Sequence, residues 1–344
     1  MLRVHVLKQE CGLGIPTVLF ITCAALAAIG CVGDPPSFQE PDASNADAND
    51  PDALGGSDSS TPTRDATGSG ERDAGSAGDA GNGRCDPNAP FTVIEPVAEL
   101  NAASDDEGAR LTPDELVVYF TRRTGAGQPY QIFTARRADR DAPFGAATAI
   151  LLLANASGAM IAADQTTLYY SSDRGGADPN AHLYSAKLPF SAATSVALTA
   201  LNSAALDYSP YVSADESELY FVSRRPADID DNIFVAESEG GTFLEPTAVG
   251  GVNSASAERS PVVSADALRL YVGSNRAEPT DFDIYVAARM LRTASFQAPI
   301  AVTELNGPSF EMPDWIAPDD CTLYFRSDRA GGPGGRDLWR ARRR

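Results

Sequence analysis

Five stretches of this chain share one register, and that repetition constrains the fold more than any other feature. Residues 209–225 read SPYVSADESELYFVSRR, residues 260–276 read SPVVSADALRLYVGSNR, and residues 313–329 read PDWIAPDDCTLYFRSDR. Two weaker copies stand at 109–123 (ARLTPDELVVYFTRR) and 159–174 (AMIAADQTTLYYSSDR). Their turn aspartates, Asp114, Asp164, Asp215, Asp266 and Asp319, are spaced 50, 51, 51 and 53 residues apart. Five residues after each comes a tyrosine: Tyr119, Tyr169, Tyr220, Tyr271 and Tyr324.

Two further segments keep the same period. One takes the forms QIF, HLY, NIF, DIY and DLW, ending at Phe133, Tyr184, Phe234, Tyr285 and Trp339. The other places Phe144, Phe190, Phe243 and Phe296 ahead of an Asn. Each unit thus holds four short apolar stretches divided by Gly, Pro, Asp and Ser, which predicts a four-stranded antiparallel blade. Nothing in this region sustains a 3.6-residue apolar period with caps, so helix is a minor component. Units of about 50 residues arranged around an axis make an all-β propeller.

The repeat resembles the Pro-Asp (WD-like) repeat of TolB-like propellers over roughly residues 91–344. The second unit is the most degraded, lacking the Ser-Pro pair and carrying Ala159 where proline stands elsewhere. The resemblance implies an envelope protein that works by binding or assembly. The sequence points to five blades, because a sixth needs about 50 further residues. The fifth unit stops after its third strand, and its missing strand appears at the start. There Phe91, Pro96, Leu100 and Asn101 echo Phe296, Pro299, Leu305 and Asn306. An N-terminal strand completing the last blade closes the ring and removes its free edges.

The propeller occupies residues 85–344, and what precedes it is of a different kind. Residues 1–30 carry Arg3 and Lys8 before an apolar run from Ile15 to Ile29. That run is too short for a comfortable membrane span and reads as an export signal. Its end, Ala28-Ile29-Gly30-Cys31, resembles the lipobox of bacterial lipoproteins, with Ala28 where leucine is usual. The resemblance implies acylation at Cys31 and a membrane-anchored envelope protein. Val32 stands where an inner-membrane retention aspartate would be, which points to the outer membrane. Residues 31–84 form an acidic tether rich in Ala, Asp, Gly and Ser. From 34 to 84 it holds eleven acids and three arginines and almost no large apolar side chain. Such a segment buries too little apolar surface to offset ordering entropy.

Composition then removes whole classes of function. Lys and Arg total 27 against 47 Asp and Glu, a formal charge of −20, which repels nucleic acid. The two histidines, His5 and His182, leave one after signal removal, too few for a multi-histidine zinc site. His182 occupies the slot held by Asp283 and Asp337 and reads as a strand-start residue. The run DIDDN at 228–232 lacks EF-hand spacing and reads as a solvated loop. AGGPGGRD at 330–337 has no following helix or Lys-Ser pair and is no phosphate loop. No cofactor or metal site is expected, and a monomer is.

One set of residues remains. Eight residues before the turn aspartate lies an acid in four units: Asp106, Asp207, Glu258 and Glu311, with Ala156 breaking the pattern. Blade topology puts them near the mouth of the channel, on the face we call upper, beside Tyr208 and Arg259. These six are the candidate ligand-binding residues. The sharper reading is a polysaccharide hydrolase, because five-bladed glycosidases resemble this arrangement and paired carboxyls about 5–10 Å apart can act as acid and base or nucleophile. The structural reading pairs each acid with a guanidinium. Ser172, Ser223, Ser274 and Ser327 precede Arg174, Arg225, Arg276 and Arg329 by two residues. Four acids arising from repetition, with no glycosidase-specific motif, favour a structural role. The domain is then a non-catalytic module binding a protein or glycan of the envelope. Four acids at the mouth would disfavour anionic partners and admit neutral glycans, peptides or cations.

Two predictions concern cysteines. With Cys31 acylated and Cys11 and Cys23 removed with the signal, Cys85 and Cys321 are the thiols left in an oxidising compartment, and they should pair. Cys31 itself is tested by metabolic labelling with a fatty-acid analogue. The wild type should take up label and Cys31→Ser should not; label retained in the variant refutes the anchor.

Overall fold

The computed structural model describes residues 85–344, apart from 124, 126, 175–179 and 226–229. Cys31, the signal and the tether lie outside the described residues. The described chain is all β, five antiparallel sheets in a ring, with a single 3₁₀ turn at Ala192–Thr194. It is a five-bladed β-propeller.

The innermost strands are Asp106–Leu111, Ser157–Ile161, Asp207–Val212, Glu258–Val263 and Glu311–Ile316. Each is followed outward by strands such as Glu218–Ser223 and Asn232–Glu239 of the third blade. The outer strands are short, two or three residues in blades one to four. In the third blade that place is shared by Thr242–Phe243 and Thr247–Ala248, both paired with Asn232–Glu239. The second strands, LYFVS or LYVGS, do not alternate apolar with polar because both faces of a blade pack on neighbours. Leu219 to Ser223 and Leu270 to Ser274 are all buried.

The repeated turn has one local cause. Each turn aspartate accepts from the backbone N–H two residues on: Leu116, Thr166, Ser217, Leu268 and Cys321, at 2.7–3.2 Å. The residue between them adopts positive φ in all five units: Glu115, Gln165, Glu216, Ala267 and Asp320. The side-chain acceptor supplies the bond that holds this otherwise unfavourable conformation.

Neighbouring blades are joined by backbone and rings. The first amide of an inner strand donates to the preceding blade: Asp207 to Ala181 O, Glu258 to Asp231 O and Glu311 to Phe282 O, at 2.7–2.9 Å. Tyr119 and Tyr169 meet Phe190 and Phe243 of the next blade edge-on, at 6.2 and 5.9 Å between centroids. The tyrosine and the fourth-segment phenylalanine of the repeat are therefore two halves of one contact.

The ring closes as the ends of the repeat imply. Val93–Pro96 pairs with Asp337–Arg342 and becomes the outer strand of the fifth blade. Glu95 on it accepts from Arg340 and Arg342 at 2.6 and 2.8 Å. Cys85 and Cys321 are joined, with 5.7 Å between their Cα atoms and a sequence separation of 236. The bridge ties the segment before the closing strand to the first turn of the same blade. A cross-link over so long a loop removes much entropy from the unfolded chain. Replacing both cysteines by serine should lower the unfolding free energy by about 2–4 kcal/mol in a denaturant melt. Mass spectrometry of the unreduced native protein should find no free thiol at either position.

Candidate functional site

The four leading acids are all fully buried, with no exposed side-chain surface. Asp207 pairs with Arg225 at 2.6 Å, Glu258 with Arg276 at 3.0 Å and Glu311 with Arg329 at 3.0 Å. In the first blade Arg122 occupies the slot that serine holds elsewhere, and reaches Asp106 at 2.6 Å. The other oxygen of each acid takes a loop amide: Ala102, Ser203, Ser254 and Gly307. The same arginines donate to the carbonyls of Leu100, Leu201, Val252 and Leu305, just before those loops. They also lie over the rings of the third shared segment, Phe133, Phe234, Tyr285 and Trp339. Burial pushes the Asp106 and Glu311 carboxyls up, against the opposing pull of their arginines.

Each acid is thus a staple between the loop entering its blade and the second strand. In the second blade, where Ala156 stands, Asn155 donates to the Asp173 carboxylate at 2.8 and 3.0 Å, while Arg174 still covers Tyr184.

The candidates from sequence separate into two groups. Asp106, Asp207, Glu258 and Glu311 do not line the channel cavity, whereas Tyr208 and Arg259 do. The cavity holds about 220 Å³ at the upper end of the channel. Its wall takes the residue after the leading acid from every blade: Glu107, Ser157, Tyr208, Arg259 and Met312. Two slots further in, past a bulge in every inner strand, the ring is Arg110, Met160, Tyr211, Val262 and Trp315. Below that the channel is apolar, lined by residues such as Leu111, Ile161, Val212, Val263 and Ile316.

Three buried charges meet at this level. Arg110 is 1 % exposed and stacks on Tyr211 at 5.2 Å. It donates to the carbonyls of Pro210 and Gly158 and to Ser209 Oγ, and makes no ion pair among the described residues. Burial lowers its pKa to about 10. Arg326 pairs with Asp314 and lies 3.6 Å from Glu107 Oε2, which also meets Arg336 at 3.5 Å. Asp314 is fully buried, and burial raises its carboxyl to about 6 against the pull of Arg326 and Arg110.

Among the described residues the mouth is not acidic, because arginines neutralise the four leading acids. Those acids are neutralised behind the wall, and Arg110, Arg259, Arg326 and Arg336 line the cavity against Glu107. Asp231 of the DIDDN run corrects one expectation. It is 1 % exposed, not solvated, and accepts from both Arg224 and Arg259 at 2.6 Å. Burial and that carboxylate push the Tyr208 hydroxyl upward.

Sequence reading missed Glu107, Arg110, Asp314, Arg326 and Arg336. A signal existed in the breaks of the repeat. Arg110 replaces Met, Tyr, Val or Trp, Asp314 replaces Ala or Pro, and Arg326 replaces Thr, Ser, Val or Gly.

No family model matches the chain, and no curated protein matches it. Among solved structures it is similar to a TolB protein from Agrobacterium tumefaciens, with 12% identity and TM-score 0.45 over 66% of this chain and 71% of that one. A TolB from Acinetobacter baumannii matches at 12% identity and TM-score 0.43, over 70% of this chain and 54% of that one, just over half its length. A GH43_1 enzyme from Xanthomonas citri matches at 14% identity and TM-score 0.48, over 73% and 91%. What these proteins share with the chain is the propeller fold.

Asp314 gives this site a pH signature. An acid whose pKa is higher folded than unfolded binds more protons when folded, so its contribution to stability falls as pH rises from about 4 to about 6. Across that window wild type should lose roughly 2–3 kcal/mol relative to Asp314→Asn, then stay level above it. Melts of the two proteins at a series of pH values measure the difference.

Proposed function

We propose that the propeller is a non-catalytic binding module of the bacterial cell envelope, anchored through lipid on Cys31 and held off the membrane by its acidic tether. It acts as a monomer, at the outer membrane, and takes a protein or glycan ligand at the upper mouth of the channel. The observation that carries this reading is the burial of all four leading acids in arginine pairs. A hydrolase needs two accessible carboxyls facing one substrate. Among the described residues Glu107 is the carboxylate on the cavity wall, and Arg326 engages both it and Asp314 behind it. The non-repeating ring that includes Tyr208 and Arg259 offers instead a polar, aromatic recess for a ligand.

A thermal melt beside a reducing-sugar screen tests the reading. Glu258→Gln leaves Arg276 without its counter-charge, which costs about 3 kcal/mol and should lower the melting temperature by roughly 5 °C or more. Neither wild type nor variant should release sugar from any polysaccharide. Release by wild type, lost in Glu258→Gln or Asp207→Asn with an unchanged melt, makes the protein a glycoside hydrolase instead.

A further inference from the structure

We propose that the upper channel is a receptor site for a small acid sugar, a uronate whose carboxylate is drawn in by the Arg110 and Arg336 guanidiniums that line one cavity; this rests on the binding-module reading. The inference starts from a charge placed at a cost. Arg110 is buried at the inner end of the cavity and has no carboxylate within ion-pair distance among the described residues. Its guanidinium is fixed by two carbonyls and Ser209 Oγ, and its Nε has no partner. The buried Asp314 attracts this guanidinium without pairing with it, being engaged by Arg326, so an anion that enters the cavity adds to that pull.

The rest of the wall fits the same ligand. Arg326 is neutralised by Asp314 and Glu107, but Arg336 stands at the rim, 40 % exposed, and among the described residues has only Glu107 for an ion-pair partner, at 3.5 Å. Guanidinium groups bind carboxylates in planar, two-pronged fashion. Glu107 remains on the wall as an acceptor, which suits the hydroxyl donors of a sugar and repels a second negative charge. That disfavours a phosphate dianion. Tyr208, on the same wall, supplies a ring for the apolar side of a pyranose. Arg110 and Arg336 belong to no repeated staple. They come from opposite ends of the chain, brought together by ring closure between the first and fifth blades.

Titration calorimetry on the full chain, with galacturonate, galactose and inorganic phosphate as probes, tests this. Galacturonate should bind, with galactose and phosphate each at least tenfold weaker, and its affinity should fall with added salt. Arg336→Met, which touches no staple, should weaken galacturonate at least tenfold while the melting temperature stays put. Equal affinity for galactose, equal affinity for phosphate, an unaffected Arg336→Met variant, or no binding by any probe would each overturn the acid-sugar assignment and leave the binding-module reading in place. Conversion of galacturonate or an oligogalacturonate to a new product, seen by NMR, would overturn the module reading itself.

Discussion

The ion pair between a leading acid and a second-strand arginine is the contact on which the ring depends. Hydrophobic burial brings blades together without fixing their relative height, because area-dependent attraction has no direction. The staple supplies direction. One carboxylate gathers a loop amide and a guanidinium, and that guanidinium also holds the carbonyl where the loop begins and covers an aromatic ring. Four blades repeat it with the same partners. A buried pair of this kind adds little net stability compared with apolar packing, yet removing either member leaves an unpaired charge inside. Its return is a fixed seat for the entering loop on its blade.

The same contact hides acids that a sequence places at a channel mouth. Repetition and polarity are legible without coordinates; they place the acids at the mouth and favour arginine pairing over catalysis. Depth is not legible. The side chains of Asp207 and Glu258 turn into the gap between loop and sheet, while their neighbours Tyr208 and Arg259 turn to the axis. Period-two alternation along a strand forces that division once one of the pair is known to face inward. What could be read was the pairing itself, since Ser-x-Arg follows each acid at a constant distance in three blades.

Blade number, strand order, the closing strand and the place of the turns were all legible, for a common reason. Each is specified locally and then copied, so five imperfect instances reinforce one reading. Asp114 and its four counterparts show it best: an Asx acceptor, a left-handed residue and a tyrosine at fixed offset define the turn whatever else the blade contains. The cluster of Arg110, Asp314 and Arg326 was not legible as a cluster, because its members are 204 and 12 residues apart in sequence and share no motif. Only the superposition of blades puts them at one level of the channel.

Repeats and their breaks carry different information in such a fold. A residue that recurs in every blade meets the same environment five times and is explained by packing or bonding common to all blades. A residue at the axis meets its own counterparts, so a symmetric ring of five identical charges would be self-repelling, and five identical apolar side chains would make an unselective plug. Asymmetry at the axis is therefore the condition for recognising anything. Here most of the charge comes from two neighbouring blades, Arg110 and Glu107 in the first and Asp314, Arg326 and Arg336 in the fifth, with Arg259 of the fourth at the upper level. Blades two and four contribute Met160 and Val262 to the same ring. At the level of Arg110 one side of the ring is charged and the other carries Met160 and Val262, which orients a ligand that has both a charge and a carbon face. The first and fifth blades are also the pair whose contact forms only when the chain has come full circle. The closing strand and the Cys85–Cys321 bridge thus hold together the two halves of the charged wall as well as the fold.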